Sequence, residues 1–501
     1  MRNWLNFSKI DSLALIFILL INLLLKIPIT NKGFFAFTYD QGRDLLAVSK
    51  IIYEGTLTLI GPTTGLQGIF YGPWWYYFLS PLLFISGGNP QSVGSLFGLL
   101  GIATVVCLYL FIKNTTHSLL LSLSLALVAS MSSSWMFGPT LIWNTSLTPI
   151  LLIFFIVLMN KIFDEPKSVY FFLLGIVAFL IMDSELPFGL IILGYVLISI
   201  LIFRKVFFQK KILLTFSGML LILLPRILFD LRHNFLISKS IISYLIHPKI
   251  YGEEVPLITR FIYRLDLYWG IFSQAFTRNN KLLGLLFFFL IVSIIFLISK
   301  NKKVWHDLKN DVLFIHLSLI IIFSLIFFTL FKDVVWDYYL IGLPVLFILI
   351  ISRIFLCATR LKKAKLFTAG VLLILVVLNF NKGILSPFKI FWEGDGATYK
   401  NEKMVIDYIA SQKPRDYSFY AYSPAIFDYP FDYLVYWYNR QGLLENPKDN
   451  QKLMYLVIRE ESSQKYHKLG WYGDKTKDST VVLERKEFPG DLIIEKHQFI
   501  N

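Results

Sequence analysis

The stretch FAFTYDQGRDLLAVSKII, residues 35–52, follows the first long apolar run of the chain. It places Asp40, Arg43 and Asp44 within five positions, where the hydropathy pattern predicts the outer end of a membrane helix. If the residues after Gln41 are helical, Asp40 and Asp44 are one turn apart and Arg43 lies beside Asp40 at i+3. Three charges at such a place, in a chain with few charges, make this stretch the first candidate for a functional site.

The composition of the chain indicates a membrane protein. Of its 501 residues, 56% are hydrophobic and only 16% are charged. A water-soluble domain cannot bury so much apolar surface, whereas a bilayer accommodates it. Apolar runs of roughly 17–22 residues match helices that cross a hydrocarbon core about 30 Å thick. We therefore predict a polytopic α-helical membrane protein.

Eleven apolar runs are predicted to span the membrane. They are residues 10–29, 90–112, 118–136, 143–160, 168–182, 186–203, 212–229, 282–299, 312–331, 336–357 and 365–380. The segment PWWYYFLSPLLFISG, residues 73–87, is short, aromatic and interrupted by proline, which favours an interfacial helix. With eleven spans and a cytoplasmic N-terminus, the basic clusters fall into cytoplasmic loops, as the positive-inside rule requires. These loops also explain the net charge of +15, so we predict no nucleic-acid partner.

Three larger segments are predicted to lie outside the membrane: a first loop (30–89), a long loop (230–281) and the C-terminal region. We divide the chain into a membrane domain, 1–387, and an extracytoplasmic domain, 388–501. The second domain combines amphipathic-helix patterns with strand-like alternation, and Pro489 and Gly490 form a hairpin signal. This pattern predicts a small α/β domain whose aromatic helix around Trp437 docks on the membrane domain.

Charged residues collect at the predicted outer ends of several helices. The acids are Asp40, Asp44, Asp183, Glu185, Asp230, Asp333 and Asp337, and the bases are Arg43, Arg226, Arg232, His233 and Lys332. A single charge of this kind is often only a solvated helix end. Their concentration at one level predicts a polar cavity near the outer leaflet, where ionisable groups are functional candidates. The predicted midplane segments are nearly free of charges, which disfavours a transporter.

Four motifs resemble the bacterial family 39 glycosyltransferases, which have the C-type membrane fold (GT-C). They are YDQGRDL after the first span, GIFYGPWWYYFLSPLL, GGNP before the next span, and FDLRHNF after a later span. Protein O-mannosyltransferases and the lipid A aminoarabinose transferase are relatives. The resemblance covers most of residues 1–350 and is strongest in the first ninety. It implies two interfacial helices in the first outer loop, near residues 42–54 and 73–87.

The resemblance also implies an inverting transfer of a sugar from a polyprenyl phosphate donor to a lipid, glycan or protein acceptor outside the bacterial cytoplasmic membrane. Asp40 matches the catalytic carboxylate of the family and would act as the general base on the acceptor hydroxyl. Relatives commonly carry a lysine before the proline of the interfacial segment, where this chain has Gly72. The donor phosphate is therefore assigned to other cations, in the order Arg232 and His233, then Lys332 and Arg43.

Further residues are predicted to contact the substrates. They are Gln41, Asp44, Tyr71, Asp183, Glu185 and Asp337. The histidines form no metal-binding motif, so we expect no resident cofactor, although the outer acids have the chemistry to hold Mg²⁺ or Mn²⁺. No Walker or dinucleotide-binding motif points to a soluble nucleotide substrate.

Two other functions remain open at this stage. A polysaccharide polymerase or ligase with a diphosphate-linked donor would use several outer arginines, and the loop 230–281 contains Arg232, Arg260, Arg264 and Arg278. The third hypothesis is a lipid or solute transporter, which the scarcity of charged residues in the predicted midplane segments disfavours.

Overall fold

Long apolar runs separated by short polar turns fold into a helical bundle with a small mixed sheet at one end, which we call the outer end. The computed structural model describes residues 8–132, 141–207, 210–247, 255–422, 427–459, 465–476 and 479–500. Within these ranges, side chains are described except at 363, 381–393 and 465–467.

The described part of the bundle begins with α1 and ends with α17. The helices are α1 Lys9–Asn31, α2 Tyr39–Glu54, α3 Trp74–Ile85, α4 Pro90–Thr116, α5 Leu119–Met131, α6 Thr148–Asp164, α7 Ser168–Ser184, α8 Leu186–Ile202, α9 Arg204–Phe207, α10 Ile212–Arg232, α11 Leu236–Ile246, α12 Leu257–Thr277, α13 Lys281–Ser299, α14 Lys302–Lys309, α15 Val312–Leu330, α16 Leu343–Ala358 and α17 Lys362–Glu393. Short 3₁₀ turns, Asn144–Leu147 and Asp337–Leu340, precede α6 and α16.

Each predicted span coincides with a helix, except that residues 133–136 of the third span lie outside the described residues. In the described ranges, seven helices are long and apolar enough to cross a membrane, and shorter apolar helices accompany them. Peripheral helices expose large apolar side chains such as Leu24, Leu220 and Phe289, whereas α16 is mostly buried. Exposed apolar surface on this scale is stable against lipid. The predicted class, a polytopic α-helical membrane protein, is confirmed.

The stretch 230–281, predicted as a long outer loop, contains the helices α11 and α12. Asp230 caps α11, because its carboxylate accepts a hydrogen bond of 2.6 Å from the backbone N–H of Ile237. The charged residues of α12 lower its hydropathy, although its apolar residues recur with the helical period. A search for continuous apolar runs therefore does not find α12.

Helices α2 and α3 lie where the family resemblance implies the two interfacial helices. Thr38 precedes α2, and its backbone N–H donates to the side chain of Gln41 at 2.8 Å in a capping box. Gly55, with a φ of 69°, ends the helix. Because Thr38 and Gln41 supply the cap, Asp40 is not needed for it.

The C-terminal part forms a four-stranded sheet with three helices. Its elements are α18 Tyr399–Ser411, β1 Tyr417–Tyr422, α19 Tyr429–Arg440, β2 Leu453–Arg459, α20 Lys465–Thr476, β3 Thr480–Phe488 and β4 Leu492–Phe499. The strand order is β1-β2-β4-β3, with β1 parallel to β2 and the other pairs antiparallel. The predicted hairpin turn joins β3 to β4, and Gly490 there has a φ of 82°. The sequence patterns predict all of these elements except α20.

The C-terminal elements share a hydrophobic core with the first outer loop. Phe37 and Trp75 of the loop pack in one cluster with Tyr399 and Phe431. The predicted docking is also confirmed: the Trp437 Nε1–H donates to the Gly87 carbonyl at 3.2 Å. Helix α17 continues past residue 387, where we predicted the end of the membrane domain.

Candidate active site

Arg43 joins two carboxylates on α2. Its Nη1 lies 3.0 Å from Oδ1 of Asp40, and its Nη2 lies 2.8 Å from Oδ1 of Asp44. The helical period brings the three side chains together, as the sequence predicts. Burial lowers the pKa of Arg43, but the charges of Asp44 and Asp40 outweigh this effect and raise its pKa above the usual value. Arg43 therefore stays charged and fixes Asp40 in place.

Asp44 is fully buried and holds the cluster to α3. Its Oδ2 accepts a hydrogen bond of 2.7 Å from the indole N–H of Trp75, and Tyr76 donates to Oδ1 at 3.4 Å. Burial raises the pKa of Asp44 to about 6, against the opposing effect of Arg43. These contacts give Asp44 a positioning role, because its oxygens are occupied by protein donors.

Asp40 is the accessible member of the cluster. Its side chain is 35% exposed, compared with 15% for Arg43 and 0% for Asp44. Among the contacts the structure gives, it is held from one side by Arg43. Gln41, which we predicted to contact substrate, is buried and occupied by the helix cap. Asp40 is therefore the carboxylate of this cluster that another molecule can reach.

A second ion pair is buried between α7 and α10. Nη2 of Arg226 lies 2.6 Å from Oδ1 of Asp183, and both side chains are at most 9% exposed. The carboxylate of Asp183 also packs closely against Gly72. A Cβ atom at position 72 would lie 2.0 Å from Oδ2 of Asp183. Position 72 is therefore glycine because Asp183 occupies the space that a lysine side chain would need.

An apolar cavity of about 520 Å³ lies between α3, α4, α6 and α7. Its wall consists mainly of aromatic and aliphatic side chains, including Trp74, Trp75 and Leu151, and Asp183 lies at its polar margin. Trp75 thus connects the cavity wall with the carboxylate of Asp44. The cavity has the lining expected for a hydrocarbon chain whose polar end lies near charged groups.

Glu185 lies between α7 and α8 and is completely buried. Neither carboxylate oxygen has a hydrogen-bond partner among the described residues. Its charge acts on Tyr71 and Tyr338, and the charge of Asp40 also acts on Tyr338. Burial is the main reason that the pKa of Tyr71 is raised. Tyr338 therefore lies within electrostatic range of both Asp40 and Glu185, and Tyr71 lies within range of Glu185.

The remaining predicted residues, Arg232, His233, Lys332 and Asp337, are exposed. Arg232 and His233 are exposed at the end of α10, and His233 stacks on Phe229. Lys332 is exposed after α15, and exposed Asp337 accepts a hydrogen bond of 2.9 Å from the backbone N–H of Tyr338. Their assignment to the substrates stays a prediction.

Three arginines of the stretch 230–281 bind backbone carbonyl groups. Arg260 donates to Leu330 at 3.1 Å, and Arg264 donates to Phe328 at 3.1 Å, both at the outer end of α15. Arg278 donates to the carbonyl of Met131 at the end of α5. They satisfy the carbonyl groups and the negative dipole of helix C-termini.

No group of three or more His, Cys, Asp or Glu side chains suited to a metal ion occurs in the part of the chain that the structure describes. The expectation that the protein works without a resident metal stays a prediction.

Comparisons with known proteins identify the architecture. No family model matches the sequence, and no curated protein matches it either. The fold matches the crystal structure of ArnT from Cupriavidus metallidurans in the apo state, with a TM-score of 0.57. The match covers 97% of this chain and 97% of that chain, at 10% sequence identity. The chain has an ArnT-like GT-C fold. ArnT is a lipid A aminoarabinose transferase, and at this identity the likeness establishes the fold alone.

Sequence reasoning missed three contributors to the site. It counted Trp75 as an interfacial aromatic, although its indole N–H binds Asp44. It listed Arg226 among the outer bases without assigning it to the donor phosphate, and it did not single out Tyr338. The adjacent tryptophans at Trp74 and Trp75 were the available signal, because a buried indole N–H needs an acceptor.

Proposed function

We propose that the protein is a membrane glycosyltransferase that moves a sugar from a polyprenyl phosphate donor to an acceptor at the outer membrane surface. The observation that carries the proposal is the partly exposed Asp40 in an ArnT-like fold, held by Arg43. Arg43 also pairs with Asp44, which binds the indole of Trp75 in the wall of the apolar cavity. The basic loops at the opposite end support a cytoplasmic N-terminus and an extracytoplasmic site in the cell inner membrane.

Asp40 is the general base in this proposal. Its carboxylate takes the proton of the acceptor hydroxyl while the hydroxyl oxygen attacks the anomeric carbon of the donor sugar. The bond between the anomeric carbon and the phosphate oxygen breaks, and the polyprenyl phosphate leaves with its electron pair. A single displacement of this kind inverts the anomeric configuration. Arg43 and Asp44 position the base, since Arg43 is already committed to both carboxylates.

The leaving phosphate gains negative charge and requires a nearby cation. Arg226 is the best placed to replace the lysine that Gly72 excludes, because it pairs with the acid at the polar margin of the cavity. Its Nε has no hydrogen-bond partner among the described residues. Arg232, His233 and Lys332 are secondary candidates at the same end. The apolar cavity takes the first isoprene units of the donor.

Three of the four arginines named for the polymerase or ligase alternative are already engaged within the protein. That alternative needs free cations for a diphosphate, whereas Arg260, Arg264 and Arg278 bind helix carbonyls. We therefore retain the polyprenyl monophosphate sugar as the donor class and propose no resident cofactor.

Release of polyprenyl phosphate tests the proposal. The full-length protein, reconstituted in phospholipid nanodiscs, is supplied with polyprenyl monophosphate and diphosphate donors that carry labelled hexoses or pentoses. We expect release from a monophosphate donor, an inverted product, and loss of release in Asp40→Asn. Release from diphosphate donors alone, or full release by Asp40→Asn, would refute this function. Asp266→Asn is the matched control, because Asp266 is an exposed acid paired with Lys281 away from the site.

A further inference from the structure

The C-terminal domain places two aromatic rings beside the candidate base. The ring of Tyr429, at the start of α19, lies 4.9 Å from the ring of Tyr39, measured between centroids. The ring of Phe427 lies 5.5 Å from Tyr429 at an interplanar angle of 19° and 6.5 Å from Tyr39. We call Tyr39, Phe427 and Tyr429 the aromatic patch.

The aromatic patch is continuous with the Asp40 cluster. Tyr39 directly precedes Asp40, and the guanidinium carbon of Arg43 lies 5.5 Å from the centroid of its ring. The charge of Arg43 also acts on Tyr429. A molecule that presents a hydroxyl group to Asp40 therefore extends over rings from both domains.

The patch remains open to a ligand. Phe427 is 53% exposed, although large apolar side chains at a folded surface are normally covered when a neighbour is available. Tyr39 and Tyr429 are half-buried. Exposed Asp432 lies three residues after Tyr429, on the same face of α19, and provides carboxylate oxygens next to the rings.

This chemistry fits a sugar ring. The C–H bonds on one face of a pyranose carry partial positive charge and contact the negative face of an aromatic ring. The hydroxyl groups around the edge of the sugar donate to carboxylate oxygens. An apolar lipid chain would satisfy the rings but leave Asp432 without a donor, and the described patch offers no backbone ladder for a peptide.

We propose that the aromatic patch is the acceptor-binding site and that the acceptor is a glycan, one of whose pyranose rings stacks on Phe427 and Tyr429. The inference rests on the proposed function, since it takes Asp40 as the group that the acceptor hydroxyl reaches. In this proposal, the C-terminal domain selects the acceptor and the membrane domain binds the donor.

Saturation-transfer NMR on the full-length protein in nanodiscs tests the proposal, with mannohexaose, maltohexaose and chitohexaose as probes. We expect at least one probe to receive saturation, mainly at its ring C–H protons. Phe427→Ala and Tyr429→Ala should each weaken its binding about three- to tenfold, which is the range for one aromatic contact. Tyr429→Phe keeps the ring and should keep the binding.

Tyr263→Ala is the matched control, because Tyr263 is a 57% exposed tyrosine on α12, outside the patch. Equal melting temperatures for all variants separate lost binding from lost folding. The proposal is overturned if none of the three probes binds, if Phe427→Ala and Tyr429→Ala bind as the unmodified protein does, or if a serine- and threonine-rich peptide binds the rings instead.

Donor cleavage distinguishes this inference from the proposed function. In the absence of an acceptor, the unmodified protein and the control variant Tyr263→Ala should both transfer the labelled sugar slowly to water. If glycans bind the aromatic patch but no donor is cleaved, the proposed function is wrong, whereas the patch is still a glycan-binding site. If the donor is cleaved and Phe427→Ala transfers sugar to the glycan with an unchanged KM, the proposed acceptor site is wrong and the proposed function is retained.

Discussion

Two clusters of paired acidic and basic side chains lie at the outer end of the bundle, and they differ in how exposed their carboxylates are. In the α2 cluster, Asp40 is 35% exposed while Arg43 and Asp44 are held within the protein. In the pair between α7 and α10, Asp183 and Arg226 are both nearly inaccessible. The first arrangement leaves one carboxylate partly exposed, and the second encloses an ion pair whose acid, Asp183, lines an apolar cavity. Two clusters of similar charge content therefore differ in access: one carboxylate of the first can be reached from outside, whereas both charges of the second are enclosed.

The largest expected effect is on the exposed carboxylate. Asp40→Asn removes the proposed base but keeps its size, so sugar transfer should fall by about 10²–10⁴-fold, the usual contribution of general-base catalysis. The melting temperature should change little, since Asp40 contributes one half-exposed ion pair. Transfer rates in nanodiscs, beside Asp266→Asn, measure the effect. A loss of less than tenfold would place the base elsewhere.

The buried pair of Asp183 and Arg226 should, in contrast, affect the melting temperature strongly when one partner is replaced. Arg226→Met leaves Asp183 charged and unpaired, which costs about 3–5 kcal/mol in comparable buried pairs, so the melting temperature should drop. Replacing both residues, as Asp183→Leu with Arg226→Met, should restore most of the stability.

Donor binding separates the two roles of this pair. If Arg226 holds the donor phosphate, the stable double variant should still bind polyprenyl phosphate at least tenfold more weakly, because a charge-assisted contact is lost. Measurement of lipid binding by the double variant decides this point. Unchanged affinity would leave the pair with a structural role only.

A smaller effect is expected where α2 meets the C-terminal domain. A Cβ atom at Gly42 would lie 2.2 Å from the backbone carbonyl carbon of Tyr429 and 2.4 Å from the nitrogen of Pro430. Gly42→Ala should therefore push α19 away from α2 and cost about 1–3 kcal/mol of stability. Gly65→Ala is the control, since no atom lies within 4 Å of the added Cβ. Equal melting temperatures for both variants would contradict the close contact.

The smallest expected effect concerns pH. Burial raises the pKa of Asp44 to about 6, so between about pH 4 and pH 6 the folded protein holds a proton that the unfolded chain has lost. The contribution of Asp44 to stability therefore decreases as pH rises through this window and is constant above it. The melting temperature of Asp44→Asn should not show this decrease with rising pH, whereas the melting temperature of Asp266→Asn should show it. Parallel pH profiles for Asp44→Asn and the unmodified protein would show that Asp44 titrates normally.

The sequence predicts the architecture better than the contacts within the site. Long apolar runs locate the spans because hydropathy acts over whole helices. The i+3 and i+4 spacing in YDQGRDL places Arg43 between two acids because a single helix determines that geometry. The partners of Asp44 and Asp183 come from other helices, and local sequence does not encode which indole or guanidinium reaches them. Helix α12 escaped prediction because its arginines interrupt the apolar run while serving as caps for α15.

The core that joins Phe37 and Trp75 to Tyr399 and Phe431 makes the C-terminal domain inseparable from the first outer loop. Removal of the C-terminal domain would expose the first outer loop, which carries Asp40. A truncated chain should therefore lose catalysis together with any function of that domain. Replacement of the whole C-terminal domain would therefore disrupt this shared core, whereas exchange of single surface side chains would leave it intact.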